Sequence, residues 1–407
     1  MNDSRVETEE SQVQVGVMVT SYNQKDWHRV LAGDYTSLPE RRDVDIVDNT
    51  LALGEMVEPL GFDSLWCAEH YGSPYSMQSN PLQWLSYWAG RTERIDVGSA
   101  VLVLPWWQPM KLIHEIGMLD TLLKGRRFHV GLGRGVAAHE YEAFGIPREE
   151  ARDRFSEMVE ILKASDENEC FSYEGRYYNL KDVSVRPRPR NKGRLFDNVK
   201  AAFNTPSSMQ MAARLGLGQM FVAAETLDQM RTQVAKFNAI RAQQGHAPNQ
   251  PTTMLYLHCS TDPEEIDNGR RYVAQQSWAA RNHYAMWKND VDFASTKGYE
   301  DYAAKFDQSK QIAEDEGQGR LKSAELVGTP DQLIEKIQAL QEAISLEYLI
   351  VHPAHGGKSA AEAQSSLKLF AQEVLPVVQA MKTPLHEHNL GSPELLEVET
   401  VVGGAVG

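Results

Sequence analysis

Cysteine is scarce in this chain of 407 residues. Cys67, Cys170 and Cys259 are far apart and odd in number. A disulfide framework or a Cys-rich zinc site is excluded on that count, and a reducing cytoplasm is the simplest setting. Positive charge is also in deficit. Lys plus Arg is 41 against 56 for Asp plus Glu, a formal charge of −15. Nucleic acid and anionic membrane surfaces are poor general partners for such a balance, because phosphate binding is driven by Lys and Arg. Long apolar runs are missing. The longest uncharged, largely apolar run, Val97 to Met110, is too short to span a bilayer and is broken by Pro105. The start, Met1 to Glu10, is polar and acidic without an apolar h-region, so no signal peptide is expected. Gly (29) and Pro (18) are near average and the apolar fraction is 42%, which leaves an ordinary globular chain.

What is present is a rhythm of short apolar runs and longer helical patterns. Strands are predicted at Val13–Thr20, Phe62–Ala68, Ile95–Leu104, Arg127–Leu132, Phe196–Phe203, Gln219–Ala224, Thr253–Cys259 and Tyr348–His352. Helical spacing fills the intervals, as in Asp43–Leu60, Pro109–Leu123, Arg148–Ala164, Leu227–Gln244, Pro330–Ile344 and Ala360–Met381. Eight βα units in one chain point to a (β/α)8 TIM barrel, with a doubly wound sheet as the alternative. The expected organisation is a flexible stretch over 1–12, a single domain over 13–381 and a tail over 382–407. Glu169–Arg194 reads as a small hairpin and a Pro-restricted connection. Thr261–Gly328 is too long for an ordinary loop after strand seven and is rich in aromatics, so residues 261–320 are expected to form an insertion acting as a lid.

Four groups of residues can carry chemistry. Gly131-Leu132-Gly133-Arg134-Gly135 follows a strand; close glycines let a backbone approach a phosphate, and a plain tight turn is the other reading. Asn204-Thr205-Pro206-Ser207-Ser208 opens a helix and suits either an anion or ordinary N-capping. His70 ends strand two, on the barrel face where active sites gather. Trp106 and Trp107 follow strand three directly and could line an apolar cleft, whereas Trp84 and Trp88 lie four apart on a helix, as core residues do. His352 and His114 are weaker candidates. His352 and His355 have metal-like spacing without nearby carboxylate or Cys partners, so no metal centre is expected.

Taken together, these stretches resemble the bacterial-luciferase-like flavin monooxygenases. The resemblance rests on Gly61-Phe62-Asp63-Ser64-Leu65-Trp66-Cys67-Ala68-Glu69-His70, on Val97–Pro105, on Leu119–Arg126 leading into Gly131–Gly135, on Phe144-Gly145-Ile146-Pro147 with Arg152 and Phe155, and on Leu326-Val327-Gly328-Thr329-Pro330-Asp331-Gln332. It implies that Arg134, Arg152, Asn204, Thr205 and Ser208 hold the phosphate of reduced FMN. It implies further that Ala100–Val101 is a cis peptide under the flavin ring and that His70 lies beside the reactive edge. Tyr71 stands where the luciferases have a second His, Gln108 where a His is frequent and Leu123 where a Ser is common. The acidic residue often found at position 204 is missing. Tyr71, Trp106 and Trp107 are therefore assigned to a rebuilt substrate pocket.

The implied function is a two-component monooxygenase. It takes reduced FMN from a separate flavin reductase and uses O2 to oxygenate a bulky organic substrate. A homo-oligomeric, cytoplasmic enzyme is expected. Two alternatives are a deazaflavin-dependent oxidoreductase of the same superfamily and a non-catalytic flavin-binding protein. His70 and the long insertion speak against the latter.

Overall fold

Apolar runs bounded by Gly, Pro and Asp become strands buried on both faces, as parallel sheets require. A computed structural model describes residues 11–203, 205–222, 226–286, 294–300, 325–392 and 395–396. Its strands are β1 (Gln14–Met18), β2 (Ser64–Cys67), β3 (Asp96–Val103), β4 (Phe128–Gly133), β5 (Phe171–Glu174), β6 (Asn179–Val183), β7 (Val199–Ala202), β8 (Gly218–Phe221), β9 (Thr252–Cys259), β10 (Glu325–Gly328) and β11 (Tyr348–His352). Eight of them close in the order β11-β1-β2-β3-β4-β7-β8-β9 and back to β11. Every pairing around this ring is parallel, with Gly16 opposite both Ile350 and Ser64, and Met254 opposite Ile350. The fold is a (β/α)8 barrel, and the eight predicted strands are its staves. The antiparallel β5–β6 pair is the expected hairpin.

Helix starts follow local chemistry. Pro81, Pro109 and Pro206 each stand at the first helical position, where a missing N–H costs nothing. The side chains of Asn80, Gln108 and Thr205 accept the backbone N–H three residues on. Thr329 and Gln332 form a reciprocal capping box ahead of the helix Pro330–Ile344.

The segment after β9 departs from a simple insertion. It opens with a 19-residue helix, Pro263–Arg281, runs into a π-helical turn at Asn282–Met286, and returns as β10, which extends the sheet along the far half of β9. Residues 287–293 and 301–324, and with them much of the expected lid, lie outside the described residues. Among the described residues no helix is long and apolar enough to cross a membrane.

Inside the barrel Met18, Trp66, Met220, Tyr348 and Ile350 pack together. The Trp66 indole Nε1 and the Tyr348 hydroxyl both donate to Ser64 Oγ at 2.6 Å, so the buried polar atoms are satisfied. The indole fits because two glycines flank it. A Cβ on Gly98 would lie 2.4 Å from the ring, and one on Gly16 would lie 2.4 Å from its Nε1. Gly98→Ala is therefore expected to destabilise the fold by about 1–3 kcal/mol through overpacking. Urea denaturation checks this, and a second change, Trp66→Leu, should recover part of the loss. An unaltered midpoint in Gly98→Ala contradicts the packing described.

Candidate active site

The C-terminal ends of the strands surround a cavity of about 370 Å³, within the range of small-molecule sites. Its floor includes Ala100, Val101 and Val103 of β3. The Ala100–Val101 peptide bond is cis. One end of the cavity is cationic and the other is lined by tyrosine and histidine.

At the cationic end, β4 stops at Gly133 and the chain turns through Arg134 and Gly135. Gly135 has φ +78°, and a Cβ there would lie 2.8 Å from Val103, so the turn needs glycine. Arg134 is buried. Its Nη1 donates to the Gly298 carbonyl at 2.6 Å, and its guanidinium lies 4.1 Å from the Tyr299 ring centre. Its Nη2 has no hydrogen-bond partner among the described residues. Arg152, on the helix Ala151–Glu167, donates to Ser207 Oγ at 2.9 Å and weakly to the same Gly298 carbonyl at 3.4 Å. Thr205 caps the helix Pro206–Arg214 by accepting the Ser208 N–H at 3.3 Å, and Ser208 lines the cavity. Two guanidinium groups and a helix start thus converge, a combination that binds a phosphate or another anion. Asn204 lies outside the described residues. The described part of the insertion, Gly298 and Tyr299, covers the arginines.

At the opposite end His70 faces the cavity with a side chain 12% exposed. Its Nδ1 is 3.2 Å from Glu140 Oε1 and 3.0 Å from His283 Nε2, and its Nε2 is 3.0 Å from the Tyr284 hydroxyl. Glu140 comes from the short helix Ala138–Phe144, and His283 and Tyr284 from the π-helical turn. Glu140 is fully buried as a side chain and accepts the Tyr71 N–H at 2.7 Å. Burial alone would raise its carboxyl; the two histidines beside it hold it well below the usual carboxylate range. His283 is pushed down to about 3, chiefly by burial and then by His70.

Glu69 ties the ends of β2 and β3 together. Its carboxylate accepts the Val103 N–H at 2.7 Å, the Trp107 indole N–H at 3.1 Å and the Tyr71 hydroxyl at 2.8 Å. These bonds draw Tyr71 and Trp107 behind the cavity wall. Trp106 also turns away: β3 runs into a 3₁₀ turn at Leu104–Trp106, and the indole stacks on Phe144 with ring centres 5.5 Å apart. None of Tyr71, Trp106 and Trp107 lines the cavity, which corrects the pocket expected for them. Tyr22, Tyr75, Tyr256 and Tyr284, with Phe155 and Phe203, supply the aromatic lining instead.

His352 ends β11 fully buried, with neither ring nitrogen hydrogen-bonded among the described residues. Burial, aided by Lys358, pushes its pKa down to about 3 from an ordinary 6.5. The unfolded chain gains that proton below about pH 6.5 and the folded chain does not, so stability present above 6.5 is lost as pH falls toward 3. Between pH 7 and pH 5 the loss carried by this residue is expected to reach about 2 kcal/mol. Urea denaturation at the two pH values should show a smaller loss in His352→Gln than in the unaltered protein. A larger loss would mean that the histidine is charged in the fold.

A second cavity, of about 200 Å³, lies beside the first residues of β4, where Asp120 and Asp166 line it. Their carboxylates accept backbone N–H groups of Asn191, Gly193 and Leu195. This is the barrel's N-terminal face, and these carboxylates fix the Arg186–Arg194 connection rather than a reaction.

Known proteins bear on this geometry. The chain is 34% identical over 147 residues to uncharacterized protein y4vJ of Sinorhizobium fredii, a match covering 36% of this chain and 42% of that one. It is 26% identical to the alkanal monooxygenase alpha chain of Photobacterium leiognathi, across 82% of this chain and 93% of the relative. Among solved structures, monooxygenase RslO1 from Streptomyces bottropensis superposes with a TM-score of 0.67 at 24% identity, covering 90% of this chain and 99% of that one. An F420-dependent secondary alcohol dehydrogenase bound to an F420-acetone adduct gives 0.63 at 15%, with 90% and 99% covered. The oxygenating constituent of 3,6-diketocamphane monooxygenase from Pseudomonas putida, in complex with FMN, gives 0.61 at 21%, with 92% and 100% covered. At these identities the superpositions show the fold. The family model for luciferase-like monooxygenases matches residues 30–346, more than half of the sequence. With the barrel closed, an anion end and a histidine end facing one cavity, and that match spanning both, the chain belongs to the luciferase-like monooxygenase family.

Proposed function

We propose that this protein is the oxygenating component of a two-component flavin monooxygenase. It would take reduced FMN from a separate reductase and, with O2, oxygenate a bulky organic substrate. The observation that carries this reading is the polarity of the cavity: the buried Arg134, with Arg152 beside it, at one end, His70 and four tyrosines at the other, and an apolar floor between. Arg134, Arg152, Thr205 and Ser208 fit the phosphate, because Arg134 Nη2 and Arg152 Nε are buried without hydrogen-bond partners among the described residues. Ala100 and Val101 would lie under the ring. Reduced FMN supplies the electrons that activate oxygen.

The chain's own residues do the rest. The arginines would hold the cofactor's charged end, at the end of the cavity opposite His70. The apolar floor and the tyrosines keep water from the reacting atoms. His70 and Tyr284 hold a proton at the cavity edge, the histidine Nε2 and the phenol oxygen being 3.0 Å apart. The four tyrosines and Met254 make a wall suited to an aromatic or polycyclic substrate.

The test is anaerobic titration with reduced FMN and, separately, with a reduced deazaflavin, followed by oxygen uptake in the presence of a flavin reductase. Tight binding of FMN and substrate-dependent oxygen uptake are expected. Preference for the deazaflavin, with hydride transfer and no oxygen uptake, would replace this reading by that of the F420-dependent relatives.

A further inference from the structure

His70, Glu140 and His283 bring three lone-pair atoms to one point from three separate stretches of the chain. His70 Nδ1 is 3.0 Å from His283 Nε2 and 3.2 Å from Glu140 Oε1, and His283 Nε2 is 3.6 Å from Glu140 Oε2. The side chains of Glu140 and His283 are wholly buried. Metal bonds of about 2.0–2.2 Å to nitrogen and oxygen place tetrahedral ligands roughly 3.4 Å apart; here the two ring nitrogens and one carboxylate oxygen lie within 4.8 Å of one another, close enough to converge on one ion.

The outer atoms fit the same description. A histidine that binds a metal through one nitrogen donates the N–H of the other to an oxygen. His283 Nδ1 is 2.8 Å from Ser73 Oγ, and His70 Nε2 is 3.0 Å from the Tyr284 oxygen. With protons on those outer nitrogens, the inner nitrogens and the carboxylate all present lone pairs to each other. One shared proton bridges only one pair, and Glu140 Oε2 makes no hydrogen bond among the described residues. A divalent cation would satisfy all three at once.

We propose that His70, Glu140 and His283 bind one divalent transition-metal ion of the zinc or iron(II) class. Two imidazoles and one carboxylate select such borderline ions over calcium or magnesium. Three protein ligands leave a coordination position open, as catalytic sites do. His70 and Glu140 line the cavity, so the open position is available to a hydroxyl, carbonyl or carboxylate oxygen of a ligand there. The site goes beyond the flavin reading and is measured without flavin, so either can fail while the other stands.

The test uses the full-length protein, stripped with a chelator and titrated with Co²⁺ in the visible range and with Zn²⁺ by calorimetry. One equivalent of each is expected to bind, with the intense visible bands of a low-symmetry cobalt site, and Zn²⁺ should bleach them. Glu140→Gln and His283→Gln should abolish this stoichiometric uptake while leaving the circular dichroism spectrum unchanged. Ser73→Ala, which removes the hydroxyl beside the His283 ring without touching a ligand atom, should weaken affinity about 10–100-fold. His386→Ala with His388→Ala, removing a stacked pair elsewhere on the chain, should bind as the unaltered protein does. If no stoichiometric Co²⁺ binds, or if binding survives Glu140→Gln and His283→Gln, the cluster is a hydrogen-bonded network and the proposal is wrong. Should both ligand variants fail to fold, the Ser73→Ala and His386/His388 variants decide the same question: loss only in the latter pair overturns it.

Discussion

His70→Ala is expected to lower oxygenation turnover by about 10²–10⁴-fold, the span of general acid–base contributions, while the affinity for reduced FMN changes little. The separation follows from geometry. His70 stands with Glu140, His283 and Tyr284 at one end of the cavity, and the arginines proposed to hold the phosphate stand at the other. His352, held neutral by burial, cannot replace His70. Coupling should suffer as well: the variant should release more hydrogen peroxide per reduced flavin consumed. Steady-state product formation, peroxide yield and anaerobic FMN titration measure the three quantities. Normal, tightly coupled turnover in His70→Ala would make the residue structural. If the histidine cluster holds a metal, the same variant should lose the metal along with turnover, since His70 then acts as a ligand.

Arg134→Ala is expected to produce the complementary phenotype. A hydrogen bond between charged groups contributes about 1.5–3 kcal/mol, so affinity for reduced FMN should fall roughly 10- to 100-fold. Turnover at saturating flavin should change less than affinity. Arg134 Nη1 also donates to the Gly298 carbonyl, and its plane rests on Tyr299. Its removal should therefore also loosen the segment around Tyr299, which hydrogen exchange would register as faster exchange near residues 298–300. Unchanged FMN affinity would remove Arg134 from the phosphate site and leave its burial as a purely structural matter.

The barrel was legible because each stave is an apolar run that buries both faces, and because Pro at helix starts and Ser, Thr or Asn caps fix where helices begin. The boundaries agree to within a few residues even at β7, where a 3₁₀ turn at Leu195–Asn198 takes the first part of the predicted strand. Local signals also located Gly133–Gly135, Thr205 and Ser208, since a strand end or a helix start is written in adjacent residues. The histidine end was half legible. His70 announces itself at the end of β2, but Glu140 is 70 residues away and His283 is 213 away. No spacing rule joins them; only barrel closure and the return of the Pro263–Arg281 helix do. One local signal was available, namely that Glu140 follows β4 closely, in the short helix Ala138–Phe144, on the same barrel face as His70. Trp106 and Trp107 were misplaced for the opposite reason. Their position after β3 is correct, but Glu69 and the 3₁₀ turn direct both rings into packing, which depends on partners elsewhere in the sequence.

The proposed function requires the cavity to support transfer of one oxygen atom from O2 to an organic molecule. The most direct measurement is a single-turnover reaction of the protein, reduced FMN and ¹⁸O₂ against a panel of aromatic and polycyclic compounds, read by mass spectrometry. A product carrying one ¹⁸O atom is expected. Oxidation of a substrate with no label incorporated would contradict it.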